Sequence, residues 1–478
     1  MPFSLRGRIQ LKKYLTSAAV IAILAGTAGL ARAADDVTVN GITFYGTIDM
    51  GVAYDTHGVP NSAIGSVSSY SLVQKQSNHA NFGVTENGLS QSKLGIKGAE
   101  DLGDGWTALF KLEAGISPAG GSITDGLKSL TNNNGYTVVG SSARPTAYNG
   151  YNSAGADSSH AGQTFARAAY VGVQNDKFGT FTFGRQTSLQ ADLIGSYDPM
   201  GGSYAYALIG FSGTAAGSGS TEDSRWNNAM KYLYSYGPVR LAGEYSTGGT
   251  VAARNDTGFA ADIGVDYAGL SIDGAWVHKK DEVSASPLTA ANVASLITAT
   301  SANAGLSNAN TLNGSVFDVT SYSVGAKYKL DKLNLFAGFE YIEEKNPSSP
   351  LPNGIADQGS YTLIVNNASL PNEKDLTYVW AGAKYGVTSK LDVTAAYYYL
   401  HQNDYATAAN EALCQQKKYL SGQCSGDEHV MSLLADYHFS KKFDVYGGVM
   451  YSQVLGSQDN GFVHNNNIAP SAGFRYNF

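Results

Sequence analysis

The feature that most constrains this chain is a period-two alternation of apolar and polar residues, which recurs in segments of about ten residues. At the C-terminus, every second residue from Ile468 to Phe478 is apolar or aromatic, while the intervening positions include Ser471 and Arg475. The segment 391–399 has the same pattern. Because successive residues of a β-strand point to opposite faces, each segment predicts a strand with one apolar and one polar face.

Sixteen such segments follow one another along the chain. They begin near residues 42, 90, 106, 164, 179, 226, 238, 258, 270, 318, 333, 375, 389, 429, 443 and 468. The strand number is even, which places both termini on one side and lets the first strand pair with the last. Closure is needed because an open edge would leave backbone groups unpaired in hydrocarbon. The predicted fold is an all-β, 16-stranded antiparallel transmembrane β-barrel.

The connections between these segments alternate in length. Short turns such as Gly237-Pro238 and Asp331-Lys332 indicate the periplasmic side. Long polar connections indicate the extracellular side, and they cover about residues 56–89, 118–163, 189–225, 281–317, 345–374 and 402–428. A soluble propeller or sandwich also alternates, but it buries its apolar face and does not alternate long and short loops in this way.

The composition agrees with a barrel. The chain has 56 Gly, 31 Tyr and only 15% charged residues, and its mean hydropathy is −0.17. A helical membrane protein would be far more apolar, whereas only every second residue of a barrel strand meets lipid. The formal charge of −7 excludes a basic nucleic-acid-binding surface, and the 43% apolar content excludes a disordered chain.

The N-terminus predicts export. Residues Met1 to Ala33 comprise a basic start, an apolar run from Leu15 to Leu30, and Ala31-Arg32-Ala33 as a cleavage site. We interpret residues 1–33 as a signal peptide and residues 34–478 as the mature barrel domain. The alternative is a membrane anchor, but the run is short and interrupted for a span of about 20 residues. Loss of the five basic residues leaves a formal charge of −12.

The chain has two cysteines, Cys414 and Cys424, in a polar stretch that follows a Tyr-rich segment. An exported chain meets an oxidising compartment, so we predict a disulfide that closes one loop. Two free thiols or half of a metal site are the alternatives. No His or Cys stands at ligand spacing around the pair, and this favours the disulfide.

Several stretches resemble the general porins of Gram-negative outer membranes, the sixteen-stranded trimeric type. The stretches are Thr43 to Asp49, Ser92 to Gly98 with Glu100 to Gly103, Arg167 to Val173, Phe178 to Arg185, and Phe474 to Phe478. Their order and spacing carry the resemblance, and the final Phe478 is similar to an outer-membrane assembly signal. The loops around 118–163, 281–317 and 345–374 are long for this family.

The resemblance implies a water-filled pore that is narrowed by an inward-folded third extracellular loop, here about residues 189–225. Within it, Asp192, Tyr197, Asp198 and the residues up to Gly202 match the family's constriction segment. Glu222 and Asp223 extend the acidic side. The basic wall that the family places opposite corresponds to Lys93, Lys97, Arg167 and Arg225. Acids facing bases would create a transverse field that orients permeating dipoles.

The alternation agrees with this site only in part. Leu94 and Ile96 take the outward parity, so Lys93 and Lys97 point into the lumen, and Arg225 and Lys231 are predicted inward by the same argument. Arg167 conflicts, because counting back from Val173 places it outward unless a bulge intervenes. The family pattern makes Arg167 luminal, and we adopt that position. The alternative for each cation is a solvated lumen or rim charge without a role in selectivity.

Arg185 shares its parity with Phe181 and Phe183, which predicts that it faces outward. A charge on the lipid face costs about 2–4 kcal/mol near mid-membrane. We therefore predict that Arg185 lies at a subunit contact and pairs with an acidic residue in the second loop of an adjacent protomer. The alternative is that its side chain extends to the membrane rim.

The sequence offers little support for catalysis. It contains no G-x-S-x-G, H-E-x-x-H or C-x-x-C motif, and the G-x-G-x-x-A match at Gly103 to Ala108 lies in a strand–turn–strand. No enzyme activity, cofactor or metal site is predicted. The expected partners are membrane lipid, lipopolysaccharide, two further copies in a homotrimer, the outer-membrane assembly machinery, and small hydrophilic solutes and ions.

Three functions remain open at this point. The first is a general diffusion channel with a mild anion preference, because the basic wall stands on rigid strands. The second is a channel specific for a sugar or organic acid, since Tyr204 and Tyr206 lie in the third loop and Tyr378 and Tyr398 take inward parity. The third is a surface adhesin barrel with a plugged lumen, which long Ser/Asn/Gly loops would suit.

Overall fold

The computed structural model describes residues 37–58, 71–74, 77, 79–123, 127, 130–131, 134–135, 163–208, 224–248, 257–298, 306–307, 309–352, 354–357, 361–414, 422–459 and 462–478. The predicted signal peptide, residues 1–33, lies outside these residues. So do Glu222 and Asp223 of the predicted acidic loop. In the described part of the chain, no helix is long and apolar enough to cross a bilayer.

Strands dominate the described residues. They are β1 (Val37–Val39), β2 (Ile42–Asp55), β3 (Asn81–Glu86), β4 (Lys93–Gly103), β5 (Trp106–Ser117), β6 (Ser122–Ile123), β7 (Ala168–Asn175), β8 (Gly179–Thr187), β9 (Arg225–Tyr236), β10 (Val239–Ser246), β11 (Gly258–Tyr267), β12 (Leu270–Ser286), β13 (Thr311–Leu330), β14 (Leu333–Lys345), β15 (Gly354–Asp357), β16 (Thr362–Asn367), β17 (Lys374–Gly386), β18 (Leu391–Gln402), β19 (Gly426–His438), β20 (Phe443–Gly456) and β21 (Asn466–Asn477). Helices span Leu189–Tyr197, Ala290–Thr298 and Ala408–Cys414, and a 3-10 helix spans Ser457–Asp459.

The strands form a closed antiparallel ring with sixteen positions, as the alternation predicts. Neighbours follow chain order from β2 to β21, and β1, β6, β15 and β16 lie outside the ring. β3 and β4 share one position, because β2 pairs with β4 through Ile42–Thr47 and with β3 through Met50–Asp55. Pairing of β2 with β21, from Thr47↔Asn477 to Ala53↔Ser471, closes the ring.

The interruption between β3 and β4 has a local cause. Asn87 has a φ of 65°, which bends the chain out of strand geometry. The Asp49 carboxylate on β2 then accepts hydrogen bonds from the amides of Leu89 and Ser90, both at 2.9 Å. These bonds satisfy backbone donors that would otherwise have paired across the ladder.

The outer face of the ring is apolar. On β19, Met431 and Leu433 are 55% and 51% exposed, whereas the intervening Ser432 is 5% exposed. Exposed aromatic side chains, such as Tyr236, Tyr267 and Phe439, stand beside the short turns. This arrangement is typical of a lipid-facing band with an aromatic girdle at its edge.

The long connections carry additional structure at the end of the ring opposite the short turns. β16 pairs in parallel with the start of β13, which extends the sheet beyond the ring. The disulfide predicted between Cys414 and Cys424 is present, with the two Cα atoms 5.3 Å apart. It ties the end of the helix Ala408–Cys414 to the residues that precede β19.

Candidate pore constriction

The third long connection begins with a helix inside the ring. Ser188 caps the helix Leu189–Tyr197 by accepting a hydrogen bond from the amide of Ala191. Gln190 donates to Glu340 on β14 and accepts from the Ser323 hydroxyl on β13. These contacts hold the helix against the inner surface of the barrel wall.

The end of this helix is fixed by contacts with two strands. The Tyr197 hydroxyl donates to Asp273 on β12 at 2.5 Å. The indole nitrogen of Trp380, on β17, donates to the Tyr197 carbonyl at 3.0 Å. A side chain at Gly382 would collide with Pro199, whose Cγ would lie 2.5 Å from the added Cβ. A glycine on the wall therefore makes the space that the loop occupies.

Asp198 is a structural residue of this loop. It is 3% exposed, and it accepts hydrogen bonds from the Tyr398 hydroxyl at 2.5 Å and the Gly202 amide at 2.6 Å. Burial raises the pKa of Asp198 to about 6. Its carboxylate is therefore bonded within the turn at Asp198–Gly202 and to the wall rather than exposed to the lumen. A role for Asp198 as an acid of the constriction stays a prediction.

The tip of the loop docks near the closure of the ring. Ser203 Oγ donates to the Gly88 carbonyl at 2.6 Å, and the Tyr206 hydroxyl donates to the Ser471 carbonyl at 2.9 Å. Tyr204 and Tyr206 are both fully buried. From the helix to this tip, residues 189–208 therefore follow the inner surface from β10 round to β21. The wall formed by β4, β5 and β7 is left open to the lumen.

That open wall carries a group of cations around one carboxylate, which we call the wall cluster: Lys93, Lys97, Lys111, Arg167 and Glu113. Arg167 Nε donates to Glu113 Oε1 at 2.6 Å, and the ammonium groups of Lys111 and Lys93 lie 3.3 and 4.0 Å from Glu113 Oε2. Lys97 stands over the Tyr45 ring, 5.3 Å from its centroid. Glu113 is 3% exposed, and the cations are more open to the lumen.

The structure brings Arg167 to the lumen side, where it contacts both Glu113 and Gln91. The conflict with the alternation arises because β7 begins only at Ala168, so parity counted along that strand does not extend to Arg167. Its backbone amide still donates to the Glu113 carbonyl at 3.1 Å. A role for Arg167 in selectivity stays a prediction.

Asp192, the other loop acid within the described residues, lies in the first turn of the helix and is paired. Lys231 on β9 donates to the Asp192 carboxylate and to the Thr187 carbonyl. Glu244 lies 3.9 Å from the same ammonium group. The charge of Asp192 is thus compensated locally rather than presented alone to the wall cluster.

Arg225 is placed less simply than its parity predicts. Asn228, three residues after Arg225 on β9, has a φ of 50°. On the N-terminal side of Asn228, the Trp226 side chain packs inward with Leu189 and Ala260. Arg225 is 6% exposed and donates to Ser224 Oγ at 3.3 Å. Its charge lies close enough to Lys93 to repel it. The two cations therefore reinforce each other on this side of the pore.

Arg185 is not an exposed, lipid-facing charge. It is 7% exposed within the single chain, and it donates to the Ala166 carbonyl at 2.6 Å and to Asn227 Oδ1 at 2.9 Å. The ladder between β8 and β9 shifts register between Gly184 and Gln186, and at this irregularity the guanidinium contacts Ala166 and β9 of its own chain. The premise of exposure is wrong, and the subunit contact stays a prediction.

Two residues of the wall cluster are not among those predicted from the sequence. Glu113 and Lys111 lie on β5, where Lys111 faces Lys97 and Glu113 faces Gly95 across the ladder. A parity argument applied to β5 would have placed both in the lumen. The pairing of Glu113 with Arg167 could not be found in this way, because it depends on the register between β5 and β7, which a long connection separates in the sequence.

Comparison with known proteins decides the family. A model of the Gram-negative porin family matches residues 17–457. The chain belongs to the Gram-negative porins. This porin is 30% identical over 223 residues to an outer membrane porin protein of Bordetella pertussis, a match that covers 46% of the chain and 44% of that relative's length. It lies in the Gram-negative outer membrane.

Solved structures share the fold of this porin. An anion-selective porin from Comamonas acidovorans superposes with a TM-score of 0.55 at 16% identity, covering 91% of this chain and 99% of that one. An in-vitro folded OmpT of Vibrio cholerae, in a trimer form, gives a TM-score of 0.50 at 14% identity and covers 91% and 99%. At these identities the likeness establishes the barrel architecture.

Proposed function

We propose that this porin is a water-filled channel for passive diffusion of ions and small hydrophilic solutes. The observation that carries the proposal is the course of residues 189–208 along the inner wall, opposite the open wall cluster. A segment seated inside the ring reduces its cross-section, while the charged side chains opposite it keep the remaining path hydrated. In this proposal the segment acts as the constriction loop.

We further propose a mild anion preference. Within the described residues, the wall cluster sets four cations against the single carboxylate of Glu113. Asp198 is buried and Asp192 is paired with Lys231, so neither loop acid cancels the wall. Screening over about 8 Å makes this region, rather than the net charge of the chain, decide which ion passes. The anion-selective title of the Comamonas porin agrees with the proposal.

We propose a homotrimer in contact with lipid and lipopolysaccharide, assembled by the outer-membrane machinery after removal of residues 1–33. The trimer form of the Vibrio relative and the family resemblance support the assembly. We also propose Phe478 as the outer-membrane assembly signal, as the family resemblance implies.

The structure gives no specific support to the alternative of a sugar or aromatic-acid channel. Tyr378 and Tyr398 take inward positions, but each is only 1% exposed. Tyr398 donates to Asp198, and Tyr204 and Tyr206 are fully buried within the loop tip. Buried rings cannot present a stacking row to a passing solute. Catalysis is likewise not proposed for a member of a channel family.

The test is single-channel recording of the refolded mature chain in a planar bilayer under a KCl gradient. We expect large steps that close in three equal levels, with a reversal potential of the sign that favours chloride. A reversal potential that favours cations would contradict the proposed anion preference but not the proposed channel function. Absence of conductance from a correctly folded barrel would overturn the proposed function itself.

A further inference from the structure

The periplasmic end of the lumen holds a second charged group, distant from the wall cluster, which we call the mouth cluster: Asp392, Asp436, His438, Asp444, Lys384 and Arg475. Its members lie on β17 to β21, next to the short turns. The ladders set Asp392 opposite Asp436 and His438 opposite Asp444. Like charges directly opposite each other destabilise a sheet, so this concentration of carboxylates needs a compensating cation.

Three members offer ligand atoms at short range. One atom each from Asp436, His438 and Asp444 lies within 4.8 Å of the others, the one group of this kind in the described part of the chain. His438 Nδ1 is 2.6 Å from Asp444 Oδ1. Two carboxylates and an imidazole form a donor set that suits first-row divalent cations such as Zn²⁺.

Asp436 gives an independent indication of a missing ligand. The residue is 7% exposed, and its Oδ1 accepts no hydrogen bond although it is buried. Leaving a buried carboxylate oxygen without a partner is costly. The nearest cation, Arg475 Nη2, is 3.6 Å from the other oxygen, Oδ2. A metal ion between Asp436 and the His438–Asp444 pair would satisfy Oδ1.

The other members of the mouth cluster support the three ligand residues through hydrogen bonds and ion pairs. His438 Nε2 lies 3.3 Å from Asp392 Oδ2, so Asp392 can orient the imidazole while Nδ1 faces the metal. Lys384 holds Asp392 in turn, at 2.9 Å. Arg475 donates to Asp444 Oδ2 at 2.7 Å, so Oδ1, which lies beside His438 Nδ1, is the oxygen that would face the ion.

The charges also favour a cation. The three carboxylates of the mouth cluster outnumber its lysine and arginine, Lys384 and Arg475. The residual negative charge lies in a partly enclosed lumen, where it attracts cations more strongly than on an open surface. His438 is partly exposed, so an ion can reach it from the periplasm.

We propose that Asp436, His438 and Asp444 bind a divalent transition-metal cation at the periplasmic mouth of the barrel. Asp392 acts as a positioning residue that orients His438. Binding would neutralise this mouth and cross-link β19 to β20. The site is independent of the proposed diffusion function, because it needs only the folded barrel.

The test is equilibrium binding of Zn²⁺ to the folded mature chain in detergent, by isothermal titration calorimetry at neutral pH. We expect one ion per protomer, with affinity reduced at least about tenfold in His438→Gln and in Asp436→Asn. The control His429→Gln alters a histidine on the outward face of the same strand and should leave affinity unchanged. Heat-dependent mobility on gels verifies that every variant is folded.

Three results would overturn the site. They are no binding at about 1 mM Zn²⁺, equal affinity in the wild type and His438→Gln, and Ca²⁺ binding as tight as that of Zn²⁺ and independent of His438. A thermal shift gives a second readout, because Zn²⁺ should stabilise the wild type but not Asp436→Asn. Neither readout uses conductance, so failure of the site and failure of the channel are distinguishable.

Discussion

At the scale of the residue, Glu113 is the one negative charge of the wall cluster, and its removal should strengthen anion preference. Glu113→Gln keeps the hydrogen-bonding shape while leaving Lys93, Lys111 and Arg167 uncompensated. We expect the chloride-to-potassium permeability ratio to rise about two- to threefold at moderate salt. Reversal potentials in a KCl gradient measure it. Glu373→Gln, a change on the extracellular side, is the control, and an equal shift in both would contradict the role of Glu113.

Asp198 gives a pH dependence at the same scale. Its pKa is about 6 in the folded protein against 3.8 for the ordinary residue, so the folded state holds the proton more tightly. Stability from this group is therefore present at low pH and is lost as pH rises from about 4 through 6. We expect wild type to lose up to about 3 kcal/mol more than Asp198→Asn between pH 4 and pH 7.5. Thermal unfolding at both pH values tests this, and parallel pH profiles would contradict it.

At the scale of the element, Tyr206 is one of the residues that hold the loop tip at residues 203–208. Its ring is fully buried, and its hydroxyl reaches Ser471. Tyr206→Ala should weaken the docked state by about 3–5 kcal/mol, a typical loss for a large buried side chain. The expected result is noisier, larger single-channel steps with the barrel intact. Tyr236→Ala, at an exposed position beside a turn, serves as control, and unchanged steps in Tyr206→Ala would show that other contacts hold the loop.

The alternation predicts the starts of many strands correctly. The predicted starts near 42, 106, 179, 258, 270, 333 and 443 coincide with those of β2, β5, β8, β11, β12, β14 and β20. The second position begins at 81 rather than 90, because Asn87 divides it into two pieces. β13 begins at 311 rather than 318, because it continues beyond the ring to pair with β16. Both differences come from contacts that lie far away in the sequence.

At the scale of the whole molecule, Arg185 distinguishes stability of the protomer from stability of the trimer. Because Arg185 donates to Ala166 and Asn227 of its own chain, Arg185→Leu should cost the protomer about 1–3 kcal/mol by leaving buried acceptors unpaired. Heat-induced unfolding of the isolated protomer measures this loss. Dissociation on non-denaturing gels without such a loss would instead place Arg185 at a subunit contact.

The architecture of this porin follows from a pattern that can be read in the sequence alone. A strand between lipid and water must alternate with period two, and this local rule can be counted without knowing any contact. It identified the sixteen positions, the inward direction of Lys93 and Lys97, and the Cys414–Cys424 disulfide.

The pairing of charges in the two luminal clusters depends on contacts that form only in the folded barrel. In the folded barrel, Asp198 is hydrogen-bonded within the loop, Arg167 pairs with Glu113, and Asp436 lies beside His438 and Asp444. Each outcome depends on ladder register, a bulge or loop docking between segments distant in the chain. Electrostatic interactions act over a few ångströms in space, and no local period in the sequence encodes those distances.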